Sequence, residues 1–150
     1  MNVNTIEITR ISADSPTWDR AGVYYVRTEG MVKSFGLPMS GEFATDTVDS
    51  EYILAADGGF PVGTCRLHPL DEGRMKIERV CVLPDYRGKG VGRIVIRAAE
   101  NWAKERGFSR MVIAARDEVI EFYEAIGYIA NRSETESDEY FSCTYTYKSI

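Results

Sequence analysis

The chain has one histidine, His68, and three cysteines so widely separated that no two form a C-x-x-C pair. That scarcity excludes the usual zinc-ligand spacings and a disulfide framework. Cys65, Cys81 and Cys143 read as small buried or half-buried side chains. The sharper alternative, a nucleophilic thiol, has only His68 as an imidazole partner. His68 precedes Pro69 and reads instead as a turn residue at a strand end. No run of about 18 apolar residues is present, so no membrane-spanning helix is expected. Positive charge is in deficit as well: 18 lysines and arginines against 23 acidic residues leave a net charge of −5. Nucleic-acid binders normally carry a basic face, so none is expected here, whereas a cationic substrate such as an amine suits the charge. The opening MNVNTIEITR lacks a basic-then-apolar leader, and a cytoplasmic protein is expected.

What is present is an ordinary globular composition, 44% hydrophobic over 150 residues. That length fits one domain, residues 1–150, with a core large enough to need no cross-links. Ile6 and Ile8 alternate as on a strand. Ser15 is a plausible helix cap with Pro16 at the first helical position, and Gly36 and Pro38 end the helical segment. One long helix or two short ones are expected there, then an irregular loop to about Asp49. EYILAAD, PVGTCRLHPL and RMKIERVCVL read as three strands joined by tight turns, an antiparallel meander. Val91, Ile94, Val95, Ala98 and Trp102 recur at helical spacing, with Gly107 as the C-terminal cap. SRMVIAA reads as a buried strand, DEVIEFYEAIG as a short helix capped by Gly127, and DEYFSCTYTYK as a last strand with Phe141, Cys143, Tyr145 and Tyr147 on one face. The acidic run at 134–139 reads as a solvated hairpin tip. A strand–helix–strand unit around residues 75–115 requires a parallel pair beside the meander. The expected fold is therefore α/β of the α+β kind: a mixed, mostly antiparallel central sheet with one parallel pair and helices on both faces.

The most informative stretch is VCVLPDYRGKGVGRIVI, residues 80–96. A strand breaks at Pro84-Asp85, runs through Gly88, Gly90 and Gly92, and opens a helix. Free N–H groups and the positive end of the helix dipole make such a junction an anion site, and glycine lets a phosphate approach the backbone. Arg87, Lys89 and Arg93 add local positive charge to an acidic protein. The P-loop pattern fails, because no Gly-Lys-Ser/Thr occurs, and G-x-G-x-x-G fails because the spacing is G-x-G-x-G. The pattern that fits is R-x-x-G-x-G, filled by Arg87, Gly90 and Gly92.

Together with the preceding strand and the distal EFYEAIGY (residues 121–128), this motif resembles the GNAT family of N-acetyltransferases, and the order of elements agrees over residues 5–147. The resemblance implies direct transfer of an acetyl group from acetyl-coenzyme A to a primary amine of a small molecule or a protein. It implies that the backbone of Val80, Cys81 and Val82 pairs with the pantetheine arm, at a slot opened by a β-bulge beside the parallel pair. It also implies that Arg87, Gly88, Lys89, Gly90, Val91, Gly92 and Arg93 form the pyrophosphate seat. Tyr123 stands at the family's acid position. Glu78 is in phase with Val80 and Val82 on a regular strand, and several members carry a catalytic glutamate on this strand. The position of that glutamate in the histone-modifying branch is here Lys76. Glu78 is thus a base, directly or through water, or a partner of Arg79, Lys76 or Arg66. Arg116 stands where many members have a pantetheine-binding asparagine. Tyr24, Tyr25, Arg27 and Phe35 are candidate walls for the acceptor. A homodimer, common in the family, is plausible through the face or edge of YFSCTYTY. Two other readings remain: an inactive acyl-coenzyme A sensor on the same fold, and a generic nucleotide-phosphate binder.

Overall fold

The meander expected between residues 51 and 82 is present and forms the middle of one sheet. The structure, a computed structural model, describes residues 5–150. The elements run β1 (Ile6–Ile11), α1 (Thr17–Arg27), a π-helical turn (Thr28–Lys33), α2 (Met39–Glu42), β2 (Glu51–Asp57), β3 (Phe60–Pro69) and β4 (Arg74–Val82). They continue as α3 (Val91–Glu105), β5 (Arg110–Arg116), α4 (Ile120–Ala125), β6 (Ile129–Ser137) and β7 (Ser142–Ser149). Among the described residues, seven strands share a sheet in the order β1-β2-β3-β4-β5-β7-β6, antiparallel throughout except for the parallel pair β4–β5. Helices cover both faces. Val26 of α1 meets Cys81 on one, where the Cys81 Sγ lies 3.4 Å from the Val26 carbonyl. Val91 and Val95 of α3 press on Gly63 on the other. Among the described residues no helix is long and apolar enough to cross a membrane.

The parallel pair is short, and that positions the site. β4 pairs with β5 only over Arg74–Lys76 and Arg110–Val112, whereas β7 follows β5 along its whole length from Arg110 to Arg116. From Ile77 to Val82, β4 therefore has no strand partner on its β5 side. A bulge accompanies the splay. Arg66 faces Glu78 and Thr64 faces Cys81, so Arg79 and Val80 stand opposite Cys65 alone. Arg79 takes φ 53°, the only positive φ outside glycine among the described residues. An arginine held there costs about 1–2 kcal/mol, which bulges of this kind spend next to functional sites.

The bulge also corrects the expected phase of β4. Glu78 shares a face with Cys81 and Arg66, toward α1, while Val82 pairs with Gly63 on the α3 face. The extra residue between Glu78 and Val82 is the reason: it inverts the alternation that a regular strand would keep.

Other expectations shift for local reasons. Ser15 does not cap α1. Its hydroxyl accepts from the Ser12 amide at 3.0 Å, and Pro16 occupies the N-cap. The helical segment runs through α1 and the π turn and stops at Gly36 and Pro38, as expected, and in the π turn the Thr28 hydroxyl donates to the Tyr24 carbonyl at 2.7 Å. Gly30 in that turn lies hard against Cys81, and the Sγ and the Val82 carbonyl leave no space for a Cβ. Gly30→Ala is expected to destabilise the protein by about 1–3 kcal/mol, read as a lower urea midpoint at unchanged slope. The acidic run is not all hairpin tip: Glu134–Ser137 belong to β6, an exposed outer strand without apolar alternation, and the turn is 138–141. β7 lies between β5 and β6, so it offers no free edge, and its buried side chains are Thr144 and Thr146. Gly107 and Gly127 close α3 and α4 with φ of 91° and 100°, as expected.

Candidate active site

The splay between β4 and β5 opens a cavity of about 480 Å³. Val80 and Glu78 of β4, Ile113 of β5, Tyr123 of α4, Glu42 of α2 and Phe141 of the β6–β7 turn all reach it. The glycine loop lies immediately beyond the end of β4. Gly88 and Gly90 adopt φ of 73° and 89°, a region that favours glycine, and Gly90 is the N-cap of α3. The Gly90 carbonyl accepts from the Ile94 amide at 3.2 Å, so the amides of Val91, Gly92 and Arg93 have no partner inside the helix. A Cβ on Gly88 would meet nothing within 4 Å. Gly92 is glycine for a different reason, because the Phe122 ring stands 3.3 Å from where its Cβ would be.

The Arg87 side chain braces the strand. Its Nε donates to the Val82 carbonyl at 3.2 Å and its Nη2 to the Gly30 carbonyl at 2.9 Å, tying the end of β4 to the π turn. The exposed cations left at the loop are Lys89 and Arg93.

Tyr123 is buried on the slot wall, edge-on to Phe122 and Tyr128 at 5.0 and 6.0 Å. Burial pushes its phenol well above the ordinary tyrosine range, so it stays protonated. Its hydroxyl has no hydrogen-bond partner among the described residues. Tyr128 differs, because its hydroxyl donates to Glu100 at 2.8 Å. Glu78 lines the slot between two cations, with Arg66 Nη2 at 3.4 Å and Lys76 Nζ at 3.7 Å. Arg79 turns instead to Glu42, 3.5 Å away. Arg116 is stacked between Phe35 and Phe141, at 5.1 and 5.0 Å from their rings, and pairs with Glu118 at 3.5 Å.

Of the four candidate wall residues only Phe35 comes to the slot, at its rim through Arg116 and Phe141. Tyr24 packs on Phe43 and Tyr52, Tyr25 packs on Phe60, and Arg27 is fully buried behind the slot. The thiol–imidazole pair does not assemble. Cys65 is buried and its thiol pushed up to about 12 by burial, and His68 is exposed three residues on along the same strand. Cys81 is likewise pushed up to about 12, again mainly by burial. Glu42 was not foreseen, and Arg79 was expected only as a candidate partner of Glu78. Glu42 sits in a four-residue helix with no periodic signal, and Arg79 acquires its position only from the bulge.

The unpaired edge of β4 thus runs directly toward the glycine-capped start of α3. Residues 17–128 match the acetyltransferase (GNAT) family. The chain belongs to the GNAT family. Among curated proteins it is 37% identical over 105 residues to the uncharacterized N-acetyltransferase YjcF of Bacillus subtilis, covering 70% of this chain and 74% of that one. Among solved structures, a Lactobacillus plantarum protein provisionally named an N-acetyltransferase superposes with a TM-score of 0.88 at 31% identity, over 98% of this chain and 99% of that one. A GNAT acetyltransferase from Elizabethkingia anophelis, with acetyl-CoA bound, shares the fold at a TM-score of 0.70 and 16% identity, over 98% and 99% of the two chains. The mixed sheet with its parallel pair is thus the acyl-CoA N-acyltransferase fold.

Proposed function

We propose that this GNAT protein transfers an acetyl group from acetyl-coenzyme A to a primary amine by direct attack. The observation that carries the reading is the unpaired β5-facing edge of β4 at Val80–Val82, continuous with the glycine-capped N-terminus of α3. Such an edge accepts an extended, amide-bearing arm as an added strand, and such a helix start accepts a pyrophosphate. The residues present fit the group: Gly88 and Gly90 keep the backbone accessible, and the amides of Val91, Gly92 and Arg93 are free to donate. Lys89 and Arg93 supply the positive charge, while Arg87 holds the loop and strand in register. Acetyl-coenzyme A, when bound, supplies a thioester carbonyl that accepts the amine's lone pair and a sulfur that leaves. Glu78 takes a proton from the ammonium, directly or through a water, with Arg66 and Lys76 holding its carboxylate in place. Tyr123 gives its phenolic proton to the departing sulfur, and burial keeps that proton in place beforehand. The acetyl-CoA complex of the Elizabethkingia relative supports the donor.

Calorimetric titration with acetyl-coenzyme A, using adenosine diphosphate as control, tests the holding step. Selective binding is expected, and Gly90→Val is expected to weaken it about tenfold or more, because a β-branched residue cannot take φ 89° without moving the loop. Equal binding of adenosine diphosphate would mean a generic phosphate site. Thiol release over a panel of amines tests the chemistry. Binding without release from any amine would mean a sensor.

A further inference from the structure

Glu42 is 3% exposed, and only one of its carboxylate oxygens is satisfied. Oε2 accepts from Arg27 Nε at 2.9 Å. Oε1 is buried without any hydrogen-bond partner, and Glu42 is one of the residues that line the slot. Its nearest cation, Arg79 Nη1, stands 3.5 Å off and makes no hydrogen bond. A buried carboxylate oxygen without a donor is destabilising, and a donor that reached it from the slot would remove that cost.

The charge around this oxygen indicates what that is. Behind the slot, Arg27 and Arg66 balance Glu42 and Asp46 in one buried cluster. In the slot, Glu78 and three carboxylates near the β6–β7 turn, Glu136, Asp138 and Glu139, remain. Lys76 and Arg79 oppose these four, and Arg116 is already paired with Glu118. Two negative charges are left over.

Resting on the acetyltransferase reading, we propose that the acceptor is a small amine with a second cationic group, and that its non-reacting ammonium donates to Glu42 Oε1. Arg79, with a third of its side chain exposed (34%), holds the place and swings out as the ammonium enters. The reacting amine then lies toward Glu78 and Tyr123, and the turn carboxylates keep the rim negative. A single charge satisfies either the reacting position or Glu42, not both, and an acceptor bearing a carboxylate brings like charge to the rim.

The test reads binding first, so that it stands whether or not turnover is seen. The complex with coenzyme A is titrated with diaminobutane, butylamine and aminobutanoate, which differ only at the distal group. Diaminobutane is expected to bind about tenfold or more tighter than butylamine, and aminobutanoate weakest. Glu42→Gln is expected to bring diaminobutane to the butylamine level. The neutral amide presents an oxygen without the charge, and coenzyme A affinity serves as the folding control. Because Glu42 also braces Arg27, the rim double variant Glu136→Gln/Glu139→Gln provides a second reading on exposed residues. It is expected to weaken diaminobutane more than butylamine. Equal affinity for the three amines, or a preference for aminobutanoate, would overturn the proposal. Tight diaminobutane binding without thiol release would leave the acceptor site standing and remove the transferase reading.

Discussion

Replacing Tyr123 with phenylalanine is expected to lower the rate of thiol release by about 10²–10⁴-fold on any amine the wild-type protein acetylates. The substitution deletes one oxygen from a ring wedged between Phe122 and Tyr128, so packing is retained and the change reads chemistry. The neighbouring phenol does not replace that oxygen, because Tyr128 is committed to Glu100. Burial sets the phenol well above its ordinary value, so the donor stays loaded through the whole alkaline range in which the amine becomes nucleophilic. The wild-type rate is therefore expected to show no loss near the ordinary tyrosine value of 10.0, and coenzyme A affinity provides the control for folding. A variant that retained the wild-type rate would show that the sulfur leaves without Tyr123.

Asp46→Ala is expected to cost about 3–5 kcal/mol of stability, a larger loss than Gly30→Ala brings. Four hydrogen bonds converge on this carboxylate. Arg27 Nη1 and the Tyr52 hydroxyl donate to Oδ2 at 2.6 and 2.5 Å, and Arg27 Nη2 and Arg66 Nη1 donate to Oδ1 at 2.8 Å each. Arg27 is fully buried and Arg66 nearly so, and alanine would leave both guanidinium groups facing a methyl group. Arg66 also reaches Glu78, so the same loss loosens the candidate base. The pH dependence has a definite sign. Burial alone would raise the Asp46 pKa, but hydrogen bonds from Arg27 and Tyr52 and the charges of Arg27 and Arg66 outweigh it and hold the pKa below the ordinary 3.8. Its stabilisation is therefore complete above that ordinary value and is lost as pH falls through the depressed one. Urea midpoints measured downward from neutral pH should drop below about 3.8 in the wild type and much less in Asp46→Asn. An unchanged midpoint in Asp46→Ala would mean that the cluster contributes nothing net.

Much of the fold was legible because it is written in short-range terms. The meander shows as three β-patterned runs joined by Gly58-Gly59 and by Asp71, whose carboxylate accepts from the amides of Gly73 and Arg74 at 3.0 and 2.8 Å. The long helix shows as a 3.6-residue period closed by Gly107, and the loop as glycines at an anion-binding spacing. β6 was invisible because NRSETES carries no apolar alternation: as an exposed outer strand it has no reason to.

The amino-acid order by itself determined the element order apart from α2 and β6, the parallel pair, the glycine turn at the start of α3 and the place of Tyr123 on α4, since each is written in local pattern. Only the tertiary structure decided which way Glu78 faces, that Arg87 braces the strand, and that Glu42 reaches the slot with one oxygen unsatisfied. Those outcomes depend on one extra residue in β4 and on groups brought together across as many as 57 positions by packing, and no local pattern encodes either.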